Sequence, residues 1–244
     1  MRLAPRTRVA LAATAVVAAC GGQAPPPVEP APAPTRRKLV EDTEVDDGAQ
    51  VVGEKGHLDP AAIDAALAPH RAAMTRCYTQ KVGRRSWLGG RLVVQWQIRA
   101  DGATQSVRII ESDLGAWPVE GCLLDVARQA VFAPPIGGAA ELSLPLEFSV
   151  APPLAVSDDA AMTAAVGGQL AKLDACAKGG AAMPDDVALT IYLGPHGRAE
   201  SVGFASPNQL DDGWLSCAEK AALGWRLPES RRRFTKLAVR YRPR

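Results

Sequence analysis

The segment GRLVVQWQIRADGATQSVRIIES, residues 90 to 112, decides the fold. In its first half apolar residues alternate with other residues, as in a β-strand with one buried face. The apolar positions of that face are Leu92, Val94, Trp96 and Ile98. The dipeptide Asp101-Gly102 follows, which is typical of a tight hairpin turn. The segment therefore predicts two antiparallel strands, over residues 91–99 and 104–111.

A helix is predicted before this hairpin. Apolar residues recur at helical spacing from Ile63 to Cys77, and Asp59 and Pro60 suit the N-cap and the first turn. Because Pro69 lies inside the pattern, we expect a kink or a break there.

After the hairpin, the sequence predicts a second helix over residues 117–131 and a last strand over 142–150. This order of elements predicts an α+β unit in which a three-stranded antiparallel sheet carries two helices on one face.

The sequence contains this unit twice, as an internal repeat. The helical positions recur 99 residues later, so that Cys77 corresponds to Cys176, and the strand positions recur 95 residues later, so that Cys122 corresponds to Cys217. The same offset of 95 residues carries Gly102 of the hairpin turn onto Gly197. The sequence therefore predicts two tandem modules, module 1 over residues 57–150 and module 2 over residues 157–243, the second a degenerate copy.

Four cysteines follow this repeat, two in each module. Each module has one cysteine near the end of its first helix and one in its second helix, and helices on one face of a sheet come close enough for a disulfide. We expect the pairs Cys77–Cys122 and Cys176–Cys217. A metal site, a redox pair and a catalytic thiol are the alternatives, but His70 lies about 10 Å along the helix from Cys77, too far to act as its base.

The N-terminus carries an export signal. Residues 1–19 combine arginines with an apolar run that is too short to span a membrane. The sequence Val17-Ala18-Ala19-Cys20 resembles a bacterial lipobox, which implies lipid on Cys20 and, without a following Asp, the periplasmic face of the outer membrane. Residues 20–56, rich in proline and then in charge, predict a tether.

Charge excludes one class of partner. Loss of the arginines in residues 1–19 leaves 25 of the 28 basic residues against all 26 acidic ones. Because binding to the phosphate backbone needs a basic excess, no nucleic-acid partner is expected.

Module 1 resembles a known family. The resemblance lies in the Cys77-Tyr78 pair, the strand segment quoted above, Cys122, the sequence AVFAPP and the closing strand PLEFSV. Together they are similar to the C-terminal domain of the AgmX/PglI family of myxobacterial envelope proteins. That domain is itself similar to the C-terminal domain of TonB energy transducers. The resemblance implies protein contacts in envelope assembly or gliding motility and no catalytic residues. A lipobox in place of the transducer's membrane helix argues against energy transduction.

We therefore expect a non-catalytic, lipid-anchored envelope protein with no cofactor and no metal, which binds other envelope proteins through its modules. Peptidoglycan or polysaccharide binding is the alternative, and an envelope thiol oxidoreductase is a third. In the TonB-like fold that the resemblance implies, an exposed last strand can accept a partner strand. Loop residue Trp87 could also contact a partner. The basic C-terminus could contact an acidic partner or an anionic cell-wall polymer, or it could instead protect an edge strand from pairing. Its basic residues are Arg231, Arg232, Arg233, Lys236, Arg240 and Arg242.

Overall fold

A computed structural model describes residues 56–150, 152–229 and 234–243. These residues belong to one compact unit, Gln50–Arg244. Within the described ranges, no helix is both long and apolar enough to cross a membrane. The predicted signal peptide, Cys20 and the predicted tether up to residue 55 lie outside these ranges.

The protein is α+β, with two three-stranded antiparallel sheets. Module 1 consists of α1 (Pro60–Val82), β1 (Gly90–Ile98), β2 (Thr104–Ser112), α2 (Trp117–Ala127) and β3 (Ala140–Phe148). Module 2 consists of α3 (Ala160–Leu170), a 3-10 segment (Ala171–Gly179), β4 (Val187–Leu193), β5 (Ala199–Ala205), α4 (Asp212–Leu223) and β6 (Thr235–Tyr241).

The two sheets repeat each other in detail. Their strand orders are β2-β1-β3 and β5-β4-β6. The pair Leu92–Leu146 of the first sheet corresponds, 95 residues later, to Val187–Tyr241 of the second, and a β-bulge follows the same offset. Gly102 and Gly197 both have positive φ, where glycine is favoured, and a Cβ on either would collide with a backbone carbonyl of the loop that precedes the last strand.

In the first helix, a break at Pro69 and a side-chain cap from Asp59 are both absent. α1 runs without a break through Pro69, which lies on its exposed side. Asp59 occupies the N-cap position, but its side chain caps no backbone N–H, whereas Asp159 at the start of α3 accepts hydrogen bonds from Ala161 and Met162 at 3.0 Å.

The modules pack against each other. The strand VALTIYL, β4, was expected to bury one face, yet Thr190 and Tyr192 on its other face are also buried. Their hydroxyls donate to carbonyls of module 1, Thr190 to Ser112 at 3.1 Å and Tyr192 to Gly89 at 2.8 Å. The second sheet therefore lies between its own helices and module 1.

Candidate functional site

An apolar groove separates α1 from β3 in module 1. Its volume is about 510 Å³, and its lining includes Leu67, Met74 and Tyr78 of α1 with Leu144, Leu146 and Phe148 of β3. Leu67 and Met74 are buried, whereas the leucines of β3 are only half-buried. Within the described part of the chain, the groove therefore offers apolar surface that is only partly covered.

The rings of Tyr78 and Phe148 close one end of the groove. They stack with their centroids 4.5 Å apart. The Tyr78 hydroxyl donates a hydrogen bond to the Leu88 carbonyl at 2.7 Å, and burial raises the pKa of Tyr78, so the phenol stays neutral. On the rim, Arg71 and Asp64 form an exposed ion pair at 2.6 Å, which contributes little to stability.

The outer strand of this groove is a sheet edge. β3 pairs with β1 on one side, and its exposed residues alternate regularly with half-buried ones. Pro145, which lacks an N–H, lies opposite Val93 and marks the strand as an edge. An edge strand presents backbone N–H and C=O groups that can pair with a further strand.

The chain itself contacts the other sheet edges. β2 and β5 contact each other, and Ser206 N–H donates to the Ile109 carbonyl at 2.8 Å. The segment before α3 lies on β6, where Val156 forms a parallel bridge with Lys236 and Ser157 N–H donates to the Lys236 carbonyl at 2.7 Å. β3 is the outer strand of the first sheet on the side away from β2.

Module 2 has a filled version of the same groove. Leu146 corresponds to Tyr241, which is buried, and Thr75 corresponds to Asp174. The Tyr241 hydroxyl donates to Asp174 Oδ1 at 2.6 Å. The remaining space is about 270 Å³ and is lined by Arg240 and Arg242 as well as by Asp174 and Tyr241. In module 2 the side chain of Tyr241 therefore fills the space that is an open groove in module 1.

The four predicted disulfide cysteines are paired as expected. Cys77 bonds Cys122 and Cys176 bonds Cys217, with Cα atoms 5.6 and 5.5 Å apart. The first bond joins α1 to α2, and the second joins the 3-10 segment to α4. In the described part of the chain, these residues hold helices together and no free thiol is left at these positions.

Trp87 lies between the modules. Its ring stacks on Phe234 at a centroid distance of 4.4 Å and contacts the Tyr192 ring at 5.0 Å. The side chain is half-buried by these contacts. Trp87 therefore packs against module 2 and does not present a free flat face on both sides.

The predicted basic residues are scattered over different environments. Lys236 is buried, and its ammonium lies 3.2 Å from both Asp113 Oδ2 and the Gly89 carbonyl, so it does not belong to an exposed basic surface. Arg240 and Arg242 are exposed but pair with Asp186 at 2.6 and 3.4 Å. Arg231, Arg232 and Arg233 lie outside the described residues.

Glu120 is a buried interface residue that the sequence did not reveal. Its carboxylate accepts hydrogen bonds from the Ser112 hydroxyl at 2.7 Å and from Phe204 N–H of module 2 at 2.8 Å. A Cβ on Gly203 would lie 2.2 Å from Glu120 Oε1, so the carboxylate fits only against glycine. Burial raises the pKa of Glu120 to about 7, although these hydrogen bonds act in the opposite direction.

Searches against family models, curated proteins and solved structures each found no match. The resemblance to the AgmX/PglI C-terminal domain therefore stays a prediction. Within the described ranges, no group of at least three His, Cys, Asp or Glu residues could hold a metal ion. The groove beside β3 is the candidate site because it combines apolar surface with a sheet edge.

Proposed function

We propose that the protein is a non-catalytic, lipid-anchored component of the cell envelope that binds an extended segment of another envelope protein along β3. The observation that carries the proposal is the apolar groove next to β3, which is an outer strand of its three-stranded sheet. The predicted lipobox and tether supply the location. The two disulfides support a compartment outside the cytoplasm.

The geometry suits strand addition. A segment that pairs with β3 gains backbone hydrogen bonds, and every second side chain of that segment then faces the groove beneath α1. Leu144 and Leu146 would pack against those side chains, because they lie on the same face of β3. Backbone pairing provides affinity, and the shape of the groove selects the side chains.

Module 2 supports the site and does not duplicate it. Tyr241 fills its groove, and residues 156–157 contact its edge strand. Its second sheet face packs on module 1 through Thr190 and Tyr192. We infer that module 1 binds the partner segment and that module 2 is its structural support.

Polysaccharide binding has less support. That alternative depended on Trp87 as a stacking platform and on the basic C-terminus. Trp87 is packed against two aromatic rings, and Lys236 is buried.

Site-specific photocrosslinking in intact cells tests the proposal. A photoreactive amino acid at Ser143, an exposed residue of β3, is expected to capture an envelope protein. Ala238 is the matched control, because it is the corresponding exposed residue of β6. Capture at Ser143 that falls when the unlabelled protein is co-expressed, and its absence at Ala238, would support the site. Equal capture at both positions, or none at Ser143, would contradict it.

A further inference from the structure

A second cavity lies where the two modules and the segment between them meet. Its volume is about 300 Å³, and its walls come from the start of β1, from Asp113 after β2, from the end of β3 with the segment up to Leu154, and from Lys236 of β6. Because Lys236 belongs to module 2 and the other walls belong to module 1 and the connecting segment, the cavity exists only while the modules are packed together. It is distinct from the groove beneath α1, although Glu147 and Phe148 border both.

Two consecutive glycines let neighbouring groups approach the start of β1 at the cavity wall. A Cβ on Gly89 would lie 2.7 Å from a methyl group of Val150 and 2.8 Å from the Phe148 carbonyl oxygen, and a Cβ on Gly90 would collide with Asp113. Close approach of another group is a common reason for glycine in a strand. The glycine pair therefore determines where the connecting segment and the Asp113 carboxylate lie.

Buried Lys236 fixes one acidic group of the cavity wall. Its ammonium lies 3.2 Å from Asp113 Oδ2 and 3.2 Å from the Gly89 carbonyl oxygen, and the centre of the Tyr192 ring is 5.6 Å away. A buried charge is tolerated only when it is paired, so these contacts hold Lys236 and Asp113 in place. Because 51% of the Asp113 side chain stays exposed, its carboxylate can still accept a hydrogen bond from a ligand.

One further residue of each charge lines the cavity. Arg91 of β1 and Glu147 of β3 lie directly opposite each other in the strand register, so both side chains are on the same face of the sheet. Both are exposed. A guanidinium group suits a carboxylate of a ligand, because it can donate two parallel hydrogen bonds, and a carboxylate suits an ammonium group. The wall therefore presents two basic and two acidic groups, whose charges sum to zero.

The connecting segment adds an apolar wall. Val150 and Leu154 are half-buried, and Leu154 packs against the core of module 1. Cavities of a few hundred Å³ that combine apolar walls with a few charged groups are typical of sites for small ligands. The cavity therefore suits a small molecule that carries both signs of charge and one apolar group.

We propose that this cavity binds a free α-amino acid with an aliphatic side chain. Arg91 binds the carboxylate, Asp113 and Glu147 bind the ammonium group, and the side chain packs against Val150 and Leu154. A ligand with a single charge would be repelled by two of the four charged groups, whereas a zwitterion meets an opposite charge at each end. Because a ligand that needs both modules stabilises their packed state, amino-acid binding would also hold the modules together.

Titration followed by NMR tests the ligand class. The probe is L-leucine, added to the full ¹⁵N-labelled chain that carries Cys20→Ser. Isoamylamine, which is leucine without its carboxylate, and 4-methylpentanoate, which is leucine without its ammonium group, are the matched controls. We expect saturable shifts of the amide signals of Gly90 and Val150 with leucine, and at least tenfold weaker binding of either control. No saturable shift with leucine, or equal binding of either control, would overturn the proposal.

Two variants assign the charged contacts. Arg91→Gln should weaken binding of leucine and 4-methylpentanoate several-fold but leave isoamylamine binding unchanged, and Glu147→Gln should have the converse selectivity. A general loss of structure would not separate the two controls in this way. Arg99→Gln removes an exposed charge at the other end of β1, outside the cavity, and should leave all three affinities unchanged. Leucine binding that neither cavity variant alters would place the ligand elsewhere and overturn the proposal.

Discussion

At the residue scale, Glu120 couples the two modules through one carboxyl group. It lies on α2 of module 1, and Phe204 N–H of module 2 donates to it. A buried carboxylate is tolerated only when hydrogen bonds satisfy it, and even then the neutral form is favoured. Tyr192, whose pKa is raised by burial, is a titratable neighbour of Glu120.

Stability should therefore depend on pH through Glu120. The pKa of this carboxyl is about 7 in the folded protein, against 4.5 for a glutamate side chain in water, so the folded state binds the extra proton between these values. The free energy of unfolding then falls as pH rises from about 4.5 to 7, by on the order of 3 kcal/mol. Urea denaturation of the wild type and Glu120→Gln from pH 5 to pH 8 checks this, since the variant cannot titrate.

We expect the free energy of unfolding of Glu120→Gln to rise relative to that of the wild type as pH rises. Other carboxyls, such as Asp186 with its lowered pKa, contribute equally to both proteins and cancel in the difference. A constant difference between the two proteins across this range would show that Glu120 does not titrate there.

The roles of single residues could be predicted only where the sequence near the residue, or its internal repeat, carried a signal. The cysteines could be paired because an even number followed the internal repeat in a chain with a predicted export signal. Glu120 could not be recognised, because its partner Phe204 is 84 residues away and nothing near Glu120 indicates burial. Gly203 offered the one signal, since a glycine inside a strand often marks the close approach of another group.

At the element scale, the position of α1 beside β3 determines the groove. The sequence predicted the hairpin of β1 and β2 closely, because alternation and the Asp-Gly turn act locally. It placed α2 four residues too long and shifted β3 by two residues, since no strong stop signal follows either pattern. It missed that β4 is buried on both faces, although the nearly continuous apolar run VALTIYL is typical of such strands.

Filling the groove of module 1 with the hydrogen-bonded Asp-Tyr pair found in module 2 should abolish binding of the proposed partner segment. Thr75→Asp with Leu146→Tyr places in module 1 the side chains of Asp174 and Tyr241, whose hydrogen bond measures 2.6 Å. We expect photocrosslinking from Ser143 to fall at least tenfold while the thermal midpoint changes little, because the same pair is accommodated in the homologous position. Thr79→Asp, on the same helix but away from the groove lining, is the control and should leave capture unchanged.

Removal of either disulfide should destabilise the protein to a similar degree. The bonds close loops of 45 and 41 residues, and the chain-entropy relation gives about 4 kcal/mol for loops of this size. Urea denaturation of Cys77→Ala with Cys122→Ala, and of Cys176→Ala with Cys217→Ala, measures both losses.

Since α1 forms a wall of the groove, we expect the first pair alone to weaken capture from Ser143. Equal effects on capture would contradict this division.

At the scale of the whole molecule, the two modules form one unit whose second half supports the first. The sequence predicted two modules but could not show how they pack, because the residues that join them are distant in the chain and form no motif. Ser201, Thr190 and Tyr192 donate their hydroxyl hydrogens to carbonyls of module 1. These hydrogen bonds satisfy hydroxyl groups that would otherwise be exposed on the outer face of the second sheet.

The protein should therefore unfold in one cooperative transition. Calorimetry of the lipid-free chain is expected to give equal calorimetric and van't Hoff enthalpies. Gly203→Ala, which forces a Cβ against Glu120, should lower the free energy of unfolding by about 1–3 kcal/mol without splitting the transition. Gly168→Ala is the control in α3, where a Cβ meets nothing within 4 Å, and should stabilise by up to about 1 kcal/mol. Two separate transitions in the wild type would show that the modules fold independently.

In the binding that we propose at β3, the bond between Cys77 and Cys122 also determines which molecule adapts. It fixes α1 to α2, so the wall of the groove is covalently held before any encounter. The conformational entropy lost on complex formation then falls mainly on the incoming segment, which must become extended. Variants that stiffen that segment should bind more tightly, whereas changes that stiffen this protein should have little effect on affinity.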